Sequence, residues 1–103
     1  MLTVIETDEF AVWAAQVWSE SERIEFIDWI ACNPESGDVI PGTKGLRKVR
    51  WGRQGMGKRG GVRVIYFTRL QCGEIVLILV YAKAKFDNIS AEVLLKMKER
   101  YDA

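Results

Sequence analysis

Apolar residues recur at helical spacing in the first part of the chain. Phe10, Trp13, Ala14 and Val17 occupy positions i, i+3, i+4 and i+7, which places them on one face of a helix. A short segment rich in β-branched residues, residues 2–6, precedes this stripe and has the composition of a strand. The chain is therefore predicted to begin with a strand followed by an amphipathic helix, and Thr7-Asp8 marks the cap between them.

A second helix is predicted directly after the first. Ser19 and Glu22 have the spacing of a capping box, in which a hydroxyl and a carboxylate each accept a free backbone N–H at the start of a helix. Pro34 ends this helix, because the residue before a proline is pushed out of the helical region. The two helices are expected to form a hairpin. The predicted buried side of the second helix consists of Ile24, Ile27, Trp29, Ile30 and Ala31.

The middle of the chain changes to a strand pattern. Residues 33–45 contain both prolines and three glycines, which predicts a loop. Residues 46–51 then alternate between apolar and basic side chains, as in a half-buried strand. Two stronger strands are predicted over residues 62–68 and 74–81, joined by a turn at residues 69–73.

The last predicted element is a helix capped by Ser90, with Leu94, Met97 and Tyr101 on one side. The predicted order is therefore strand, two helices, three strands and a helix. This order indicates one α+β domain over residues 1–103, with a small, largely antiparallel four-stranded sheet, two N-terminal helices and one C-terminal helix. The helices are expected to pack on one face of the sheet.

The charges are segregated along the chain although the net charge is only +1. Residues 1–40 hold nine acidic side chains and one basic one, whereas residues 41–85 hold eleven basic side chains and one acidic one. A chain with such a basic segment is expected to bind a polyanion, such as a nucleic acid, on one side.

Several classes of chemistry are not expected. The chain has no His, and its two cysteines, Cys32 and Cys72, lack metal-ligand spacing, so we expect neither a zinc site nor a Cys–His nucleophile. Both thiols are expected to be buried or half-buried. No metal or cofactor is predicted. The longest apolar run, residues 75–81, is too short to span a membrane, and no signal peptide is visible, so a cytoplasmic location is expected.

Two nucleotide-binding signatures overlap in the basic segment, and both fail. Residues 55–60 match GxGxxG, and residues 52–58 match the first seven positions of a P-loop. Each motif requires a helix after the glycine turn, but a strand pattern follows here, and Arg59 replaces the Ser or Thr of the P-loop. The glycines instead predict a flexible hairpin tip from which Arg53, Lys58 and Arg59 contact a phosphate backbone.

Three cations on predicted strands are better placed for chemistry. Lys48, Arg50 and Arg63 alternate with apolar residues, so a rigid sheet would fix their positions. Together with Tyr66 or Tyr81, they would bind a phosphodiester and stabilise the extra negative charge of its transition state. Without His, acid–base work would fall to a lysine, a tyrosine or a remote carboxylate. Plain phosphate binding without cleavage is the alternative.

Residues 33–67, together with the Tyr-Ala-Lys at 81–83, resemble the RelE/HigB-like toxins of bacterial toxin–antitoxin systems. The resemblance spans most of the chain. It implies a metal-independent endoribonuclease that enters the ribosomal A site and cuts mRNA by 2′-OH attack, giving a 2′,3′-cyclic phosphate and inhibiting translation. The implied partners are the ribosome, mRNA and a cognate antitoxin of the helix-turn-helix type, with operator DNA contacted only through the antitoxin complex.

The resemblance also implies roles for individual residues. Lys48 and Arg50 match the paired cations of the family's second strand, Arg63 matches its phosphate-holding arginine, and Lys83 lies near its C-terminal cation. Because Arg50 replaces the base-like lysine of well-known members, Lys48 is the remaining candidate base. The general acid stays open between Lys83, Lys85 and a tyrosine. Contacts to RNA or the ribosome are expected from Lys44, Arg47, Arg53, Lys58, Arg59 and Lys85.

Three other functions use the same cations. The protein would be a non-catalytic RNA-binding or ribosome-binding module if the strand cations position phosphates without cleaving them. It would be a degenerate toxin if the basic face now binds only an acidic partner. A ParE-like inhibitor of gyrase is a third alternative on the same fold, although the full set of strand cations fits a ribonuclease better.

Overall fold

The computed structural model describes residues 2–53, 57–82 and 89–101. Within these residues the chain forms five strands and three α-helices, and a short 3-10 turn at Leu70–Cys72 joins the last two strands. The elements are β1 (Thr3–Glu6), α1 (Asp8–Val17), α2 (Glu20–Cys32), β2 (Asp38–Val39), β3 (Arg47–Arg53), β4 (Gly57–Arg69), β5 (Glu74–Ala82) and α3 (Ala91–Tyr101). The predicted α+β class is confirmed.

The described strands form one sheet in the order β1-β5-β4-β3-β2. β1 runs parallel to β5, and the other neighbouring pairs are antiparallel. The sheet has five strands instead of the predicted four because Asp38 and Val39 pair with the first two residues of β3. A strand of two residues is too short to produce an alternating pattern, so the sequence predicted only a loop there.

The predicted starts of the first two helices are confirmed. The Thr7 hydroxyl accepts the Phe10 N–H at 3.2 Å, and it donates to the Leu77 carbonyl at 2.8 Å, which fastens α1 to β5. At the start of α2, Ser19 and Glu22 form the capping box: the Ser19 N–H donates to the Glu22 carboxylate at 2.9 Å, and the Glu22 N–H donates to the Ser19 hydroxyl at 3.2 Å.

The first face of the sheet is covered by α1 and α2 through a cluster of aromatic residues. Trp18 stacks on Phe26 with 5.2 Å between ring centroids, and the rings of Trp29 and Trp51 lie 4.8 Å apart. The predicted buried side of α2 was wrong at Ile24, which is 45% exposed, whereas Phe26 is fully buried. We call the side of the sheet that α1 and α2 cover the aromatic face.

The second face is covered by α3. Leu94 of α3 is buried against a separate apolar cluster that includes Ile65, Phe67, Leu79 and Tyr81. The expectation that all helices pack on one face is therefore wrong. The reason lies in β5, which is apolar on both sides and must be covered on both.

Ion pairs and hydrogen bonds hold the C-terminal end of α3 over the end of the sheet where β4 finishes. Arg69, the last residue of β4, donates to the Tyr101 carbonyl and pairs with Glu74 at 3.4 Å. Arg100 pairs with Glu9 at the start of α1. These contacts fix the last turn of α3 at this end of the sheet.

Two expectations concern features outside the sheet. Cys32 and Cys72 are both exposed, so the expectation of buried or half-buried thiols is wrong; each lies at the end of a helical segment, where neighbouring elements do not cover it. None of the helices described here is long and apolar enough to cross a membrane.

Candidate functional site

The register of the sheet aligns three polar side chains across three strands. Arg50 of β3 is the direct partner of Arg63 of β4, and Arg63 is the direct partner of Tyr81 of β5. Directly paired residues project to the same face, and neighbouring strands lie about 4.8 Å apart. Arg50, Arg63 and Tyr81 therefore form a row roughly 10 Å long on the face that carries α3.

Lys48 belongs to the same group. It precedes Arg50 by two residues, so it projects to the same face of β3. Lys48 and Arg50 are exposed, and Arg63 is half-buried. We call Lys48, Arg50 and Arg63 the cation cluster. The structure thus brings together three of the four residues for which catalytic roles were predicted.

The alternation of β3 explains why these cations share one face. Val49 and Trp51 project to the aromatic face and pack in its core, so the residues between and before them face the other way. Lys48 is paired with buried Ile65, and Ile65 is in turn paired with buried Leu79. Buried apolar side chains therefore lie beside the cation cluster on this face of the sheet.

Tyr81 is the uncharged member of the row. The residue is 3% exposed. Burial raises the pKa of the Tyr81 phenol above its ordinary value, and the nearby positive charge of Arg63 opposes this shift only in part. The phenol is therefore protonated at neutral pH and is a hydrogen-bond donor beside the cation cluster.

Tyr66, the other tyrosine considered from the sequence, belongs to the aromatic face. Its hydroxyl donates to the Pro34 carbonyl at 2.9 Å and accepts the Gly37 N–H at 3.0 Å. Its ring is fully buried in the core. Tyr66 therefore fixes the loop before β2 and is not available to a ligand on the cation cluster.

Arg47 and Lys44 were predicted to contact RNA, and the structure separates both from the cation cluster. Arg47 lies on the opposite face, where its guanidinium donates to the Gly37 carbonyl at 2.7 Å. Lys44 is exposed in the loop before β3, with a backbone φ of 56° that favours glycine. Their contacts to RNA stay predictions.

The remaining predicted residues lie near the hairpin or outside the described parts of the chain. Arg53 ends β3 and pairs with Gly57, and Lys58 and Arg59 belong to the first part of β4. Strand pairing thus extends further into the glycine-rich segment than predicted. Lys83 and Lys85 lie outside the residues that the structure describes. The contacts of these cations to RNA stay predictions.

Sequence reasoning missed one polar residue beside the cluster. Asp38 of β2 is the direct partner of Lys48, so a carboxylate borders the cluster at the edge of the sheet. Only the pairing register reveals this neighbour, because Asp38 lies in a turn-rich segment with no strand pattern. Because directly paired residues project to the same face, the negative charge of Asp38 partly offsets the positive charge of the cluster.

No family model matches the chain. The structure is, however, similar to a solved structure of the E. coli toxin RelE, a double mutant in the free state. The TM-score is 0.64, the sequence identity is 11%, and the match covers 94% of this chain and 96% of that chain. The chain has the RelE-like fold. The fold implied by the resemblance of residues 33–67 and 81–83 is thus confirmed over nearly the whole length of both proteins.

On this RelE-like fold, the cation cluster has the properties of an anion site. The planar guanidinium fork of an arginine donates two parallel hydrogen bonds to phosphate oxygens. Arg50 and Arg63 lie opposite each other, so both guanidinium groups are within reach of one phosphate that sits above β3 and β4.

Proposed function

We propose that the protein is a RelE-like toxin that cleaves mRNA on the ribosome, inhibits translation in the cytoplasm and is neutralised by a cognate antitoxin. The observation that carries this proposal is the cation cluster, because three rigidly placed cations on one sheet face form a site for a phosphodiester. The RelE-like fold supports it, since this is the fold of a solved bacterial toxin.

The proposed reaction is attack by a ribose 2′-OH on the adjacent phosphate. Arg50 and Arg63 hold the non-bridging phosphate oxygens and stabilise the extra negative charge that develops on them. Lys48 is the candidate base for the 2′-OH proton, because an arginine does not release its proton. Lys83 is included on the resemblance alone, as a further cation near the scissile phosphate.

This reaction is proposed to proceed without a metal ion. It needs an aligned 2′-OH, a proton acceptor, positive charge on the phosphate and a proton donor for the leaving oxygen. Side chains of the chain supply the acceptor, the positive charge and the donor, and the bound RNA supplies the 2′-OH. The product is a 2′,3′-cyclic phosphate on one fragment and a free 5′-OH on the other.

The proposed partners are those that a RelE-like toxin of this kind would need. The ribosome would be contacted by the other cations of the basic segment: Lys44, Arg47, Arg53, Lys58, Arg59 and Lys85. The antitoxin is proposed to be of the helix-turn-helix type. Operator DNA would be contacted only through the complex of toxin and antitoxin.

Expression of the chain without a partner tests the proposal. Wild-type protein is expected to arrest growth and to produce mRNA fragments with 2′,3′-cyclic ends, and Arg63→Ala is expected to relieve both effects. Arg23→Ala is the matched control, since it removes an arginine that pairs with Glu6 at 2.8 Å and belongs to α2, away from the cluster. Continued growth of the wild-type strain would contradict the proposal.

A ribosome-binding assay, combined with the cleavage assay, separates the main alternative. A non-catalytic module would bind ribosomes in a salt-sensitive manner, and the log–log slope of binding against salt would change by about 0.7 for each phosphate that a variant no longer neutralises. It would leave mRNA intact. Ribosome binding by the wild-type protein without cleavage would therefore favour the module over the ribonuclease.

A further inference from the structure

The three tyrosines of the chain have three different environments. Tyr66 uses its hydroxyl twice on the aromatic face. Tyr101 ends α3, and its carbonyl is bound by Arg69 at the far end of the sheet. Tyr81 alone stands in the row with Arg50 and Arg63. The site thus contains one phenol, placed next to the arginine at the centre of the row.

Other neutral proton donors are remote from this row. The chain has no His. Cys32 and Cys72 flank the start of β1, where the Leu2 N–H binds the Ala31 carbonyl and the Thr3 N–H binds the Gly73 carbonyl. That position is level with Glu74, seven residues from Tyr81 along β5, or roughly 23 Å away. Among the imidazole, thiol and phenol groups of the chain, Tyr81 is therefore the candidate that the sheet places at the cluster.

We propose that Tyr81 is the general acid of the reaction and donates its phenolic proton to the leaving 5′ oxygen; this inference rests on the proposed function. In the step, the 2′ oxygen forms a bond to phosphorus while the bond from phosphorus to the 5′ oxygen breaks. The 2′-OH proton passes to the base, for which the neutral amine form of Lys48 is the candidate, and this proton is released to water after the product leaves. The proton of Tyr81 passes to the 5′ oxygen, and water restores it after the product leaves.

The sheet geometry supports this assignment. Arg63 lies between Arg50 and Tyr81, so a phosphate held by both arginines lies within one strand spacing of β5, the strand that carries the phenol. The Tyr81 ring is fixed because it packs in the apolar cluster with Ile65 and Leu79. A fixed ring holds the hydroxyl in one direction, which general acid catalysis requires.

The protonation state also suits the role. Because burial raises the pKa of Tyr81, the phenol keeps its proton throughout the physiological range. The leaving group is an alkoxide, which is far more basic than a phenolate, so proton transfer from the phenol to it is downhill. The positive charge of Arg63 stabilises the phenolate that remains.

The test compares Tyr81→Phe with wild type on two mRNAs that differ in one atom. One has an ordinary phosphodiester at the cleaved position, and the other has sulfur in place of the bridging 5′ oxygen. A thiolate leaves without protonation, so the sulfur substrate does not need a general acid. Tyr81→Phe is expected to slow single-turnover cleavage of the ordinary substrate by about 10²-fold or more and that of the sulfur substrate by less than about threefold.

Tyr66→Phe is the matched control, since it also removes one phenolic oxygen from a buried ring. It is expected to change cleavage of both substrates by the same factor. The inference is overturned if Tyr81→Phe slows both substrates equally, which would make Tyr81 a positioning residue, or if it slows neither, which would leave Lys83 or Lys85 as the donor. If wild type cleaves neither substrate, the proposed function itself fails, and this inference with it.

Discussion

The polar groups on the aromatic face of the sheet differ from those on the face that carries the cation cluster in the partners that the fold gives them. On the aromatic face, the hydroxyl of Tyr66 and the guanidinium of Arg47 are both bound to backbone groups of the loop before β2. On the other face, the sheet register sets Arg50 directly opposite Arg63, and the two like charges face each other.

This difference indicates where stability and function reside. Like charges directly opposite each other in a sheet are destabilising, so Arg50 and Arg63 weaken the free protein and are neutralised when an anion binds. The aromatic face contains no such conflict among its paired polar groups in the described part of the chain. Substitutions on the aromatic face are therefore expected to change folding, and substitutions in the cation cluster are expected to change ligand binding and cleavage.

The largest expected effect is on the aromatic face. Phe26→Ala removes a fully buried ring that stacks on Trp18 and packs edge-on against Trp51, with 5.3 Å between the centroids of the Phe26 and Trp51 rings. It is expected to lower the free energy of unfolding by about 3–5 kcal/mol in urea titrations. The control is Val12→Ala in α1, a side chain 61% exposed, with an expected change within about 0.5 kcal/mol. Equal losses of stability in the two variants would contradict the assignment of this core.

The second prediction is a substitution in the cation cluster that lowers activity and raises stability. Arg50→Gln is expected to slow mRNA cleavage about 10²-fold, because it removes one positive charge that stabilises the phosphate in the transition state. The same change is expected to raise the free energy of unfolding by about 0.2–1 kcal/mol, because it relieves the repulsion with Arg63. Urea titration and single-turnover cleavage are measured on the same preparation.

Arg23→Gln is the matched control for this prediction. It breaks the ion pair with Glu6, so the free energy of unfolding is expected to fall by at most about 1 kcal/mol. The cleavage rate is expected to stay at the wild-type value. A variant of Arg50 that is both less stable and fully active would refute the division of roles between the two faces.

Local spacing in the sequence predicted most of the helices and strands. It could not predict which side chains lie opposite each other on neighbouring strands, because that depends on the register of the sheet. The caps at Thr7 and Ser19 follow from neighbouring residues, and alternation alone placed Lys48 and Arg50 on one face of β3. The pairing of Arg63 with Tyr81, and of Asp38 with Lys48, depends on how the strands align. Register is set by turns and by burial of a whole face, and no short pattern in one sequence encodes it.

The third prediction concerns Gly37, which contacts both Tyr66 of the aromatic face and the backbone of Lys48 in β3. Gly37 donates to the Tyr66 hydroxyl, and a Cβ added to it would lie 3.0 Å from the backbone oxygen of Lys48 and 3.0 Å from the Tyr66 ring. Gly37→Ala is therefore expected to lower the free energy of unfolding by about 1–3 kcal/mol. It is also expected to reduce cleavage, because it moves β3 at Lys48.

Gly52→Ala is the matched control for Gly37→Ala. A Cβ at Gly52 meets no described atom within 4 Å, and Ala restricts the unfolded chain more than Gly does. Stability is expected to be unchanged or to rise by up to about 1 kcal/mol. If the two alanine variants unfold at the same urea concentration, the close approach of Gly37 to β3 is not a real constraint.

The smallest expected effect separates backbone strain from charge at Lys44. With φ at 56°, Lys44 occupies a conformation that disfavours a side chain, so Lys44→Gly is expected to raise the free energy of unfolding by about 0.5 kcal/mol after the extra entropy of glycine is included. Lys44→Ala removes the same charge and retains the Cβ, so its stability is expected to equal that of wild type. If Lys44 binds a phosphate, both variants reduce the salt slope of ribosome binding by about 0.7. Equal stability of the two variants would rule out the strain, and an unchanged slope in both would place Lys44 outside the RNA interface.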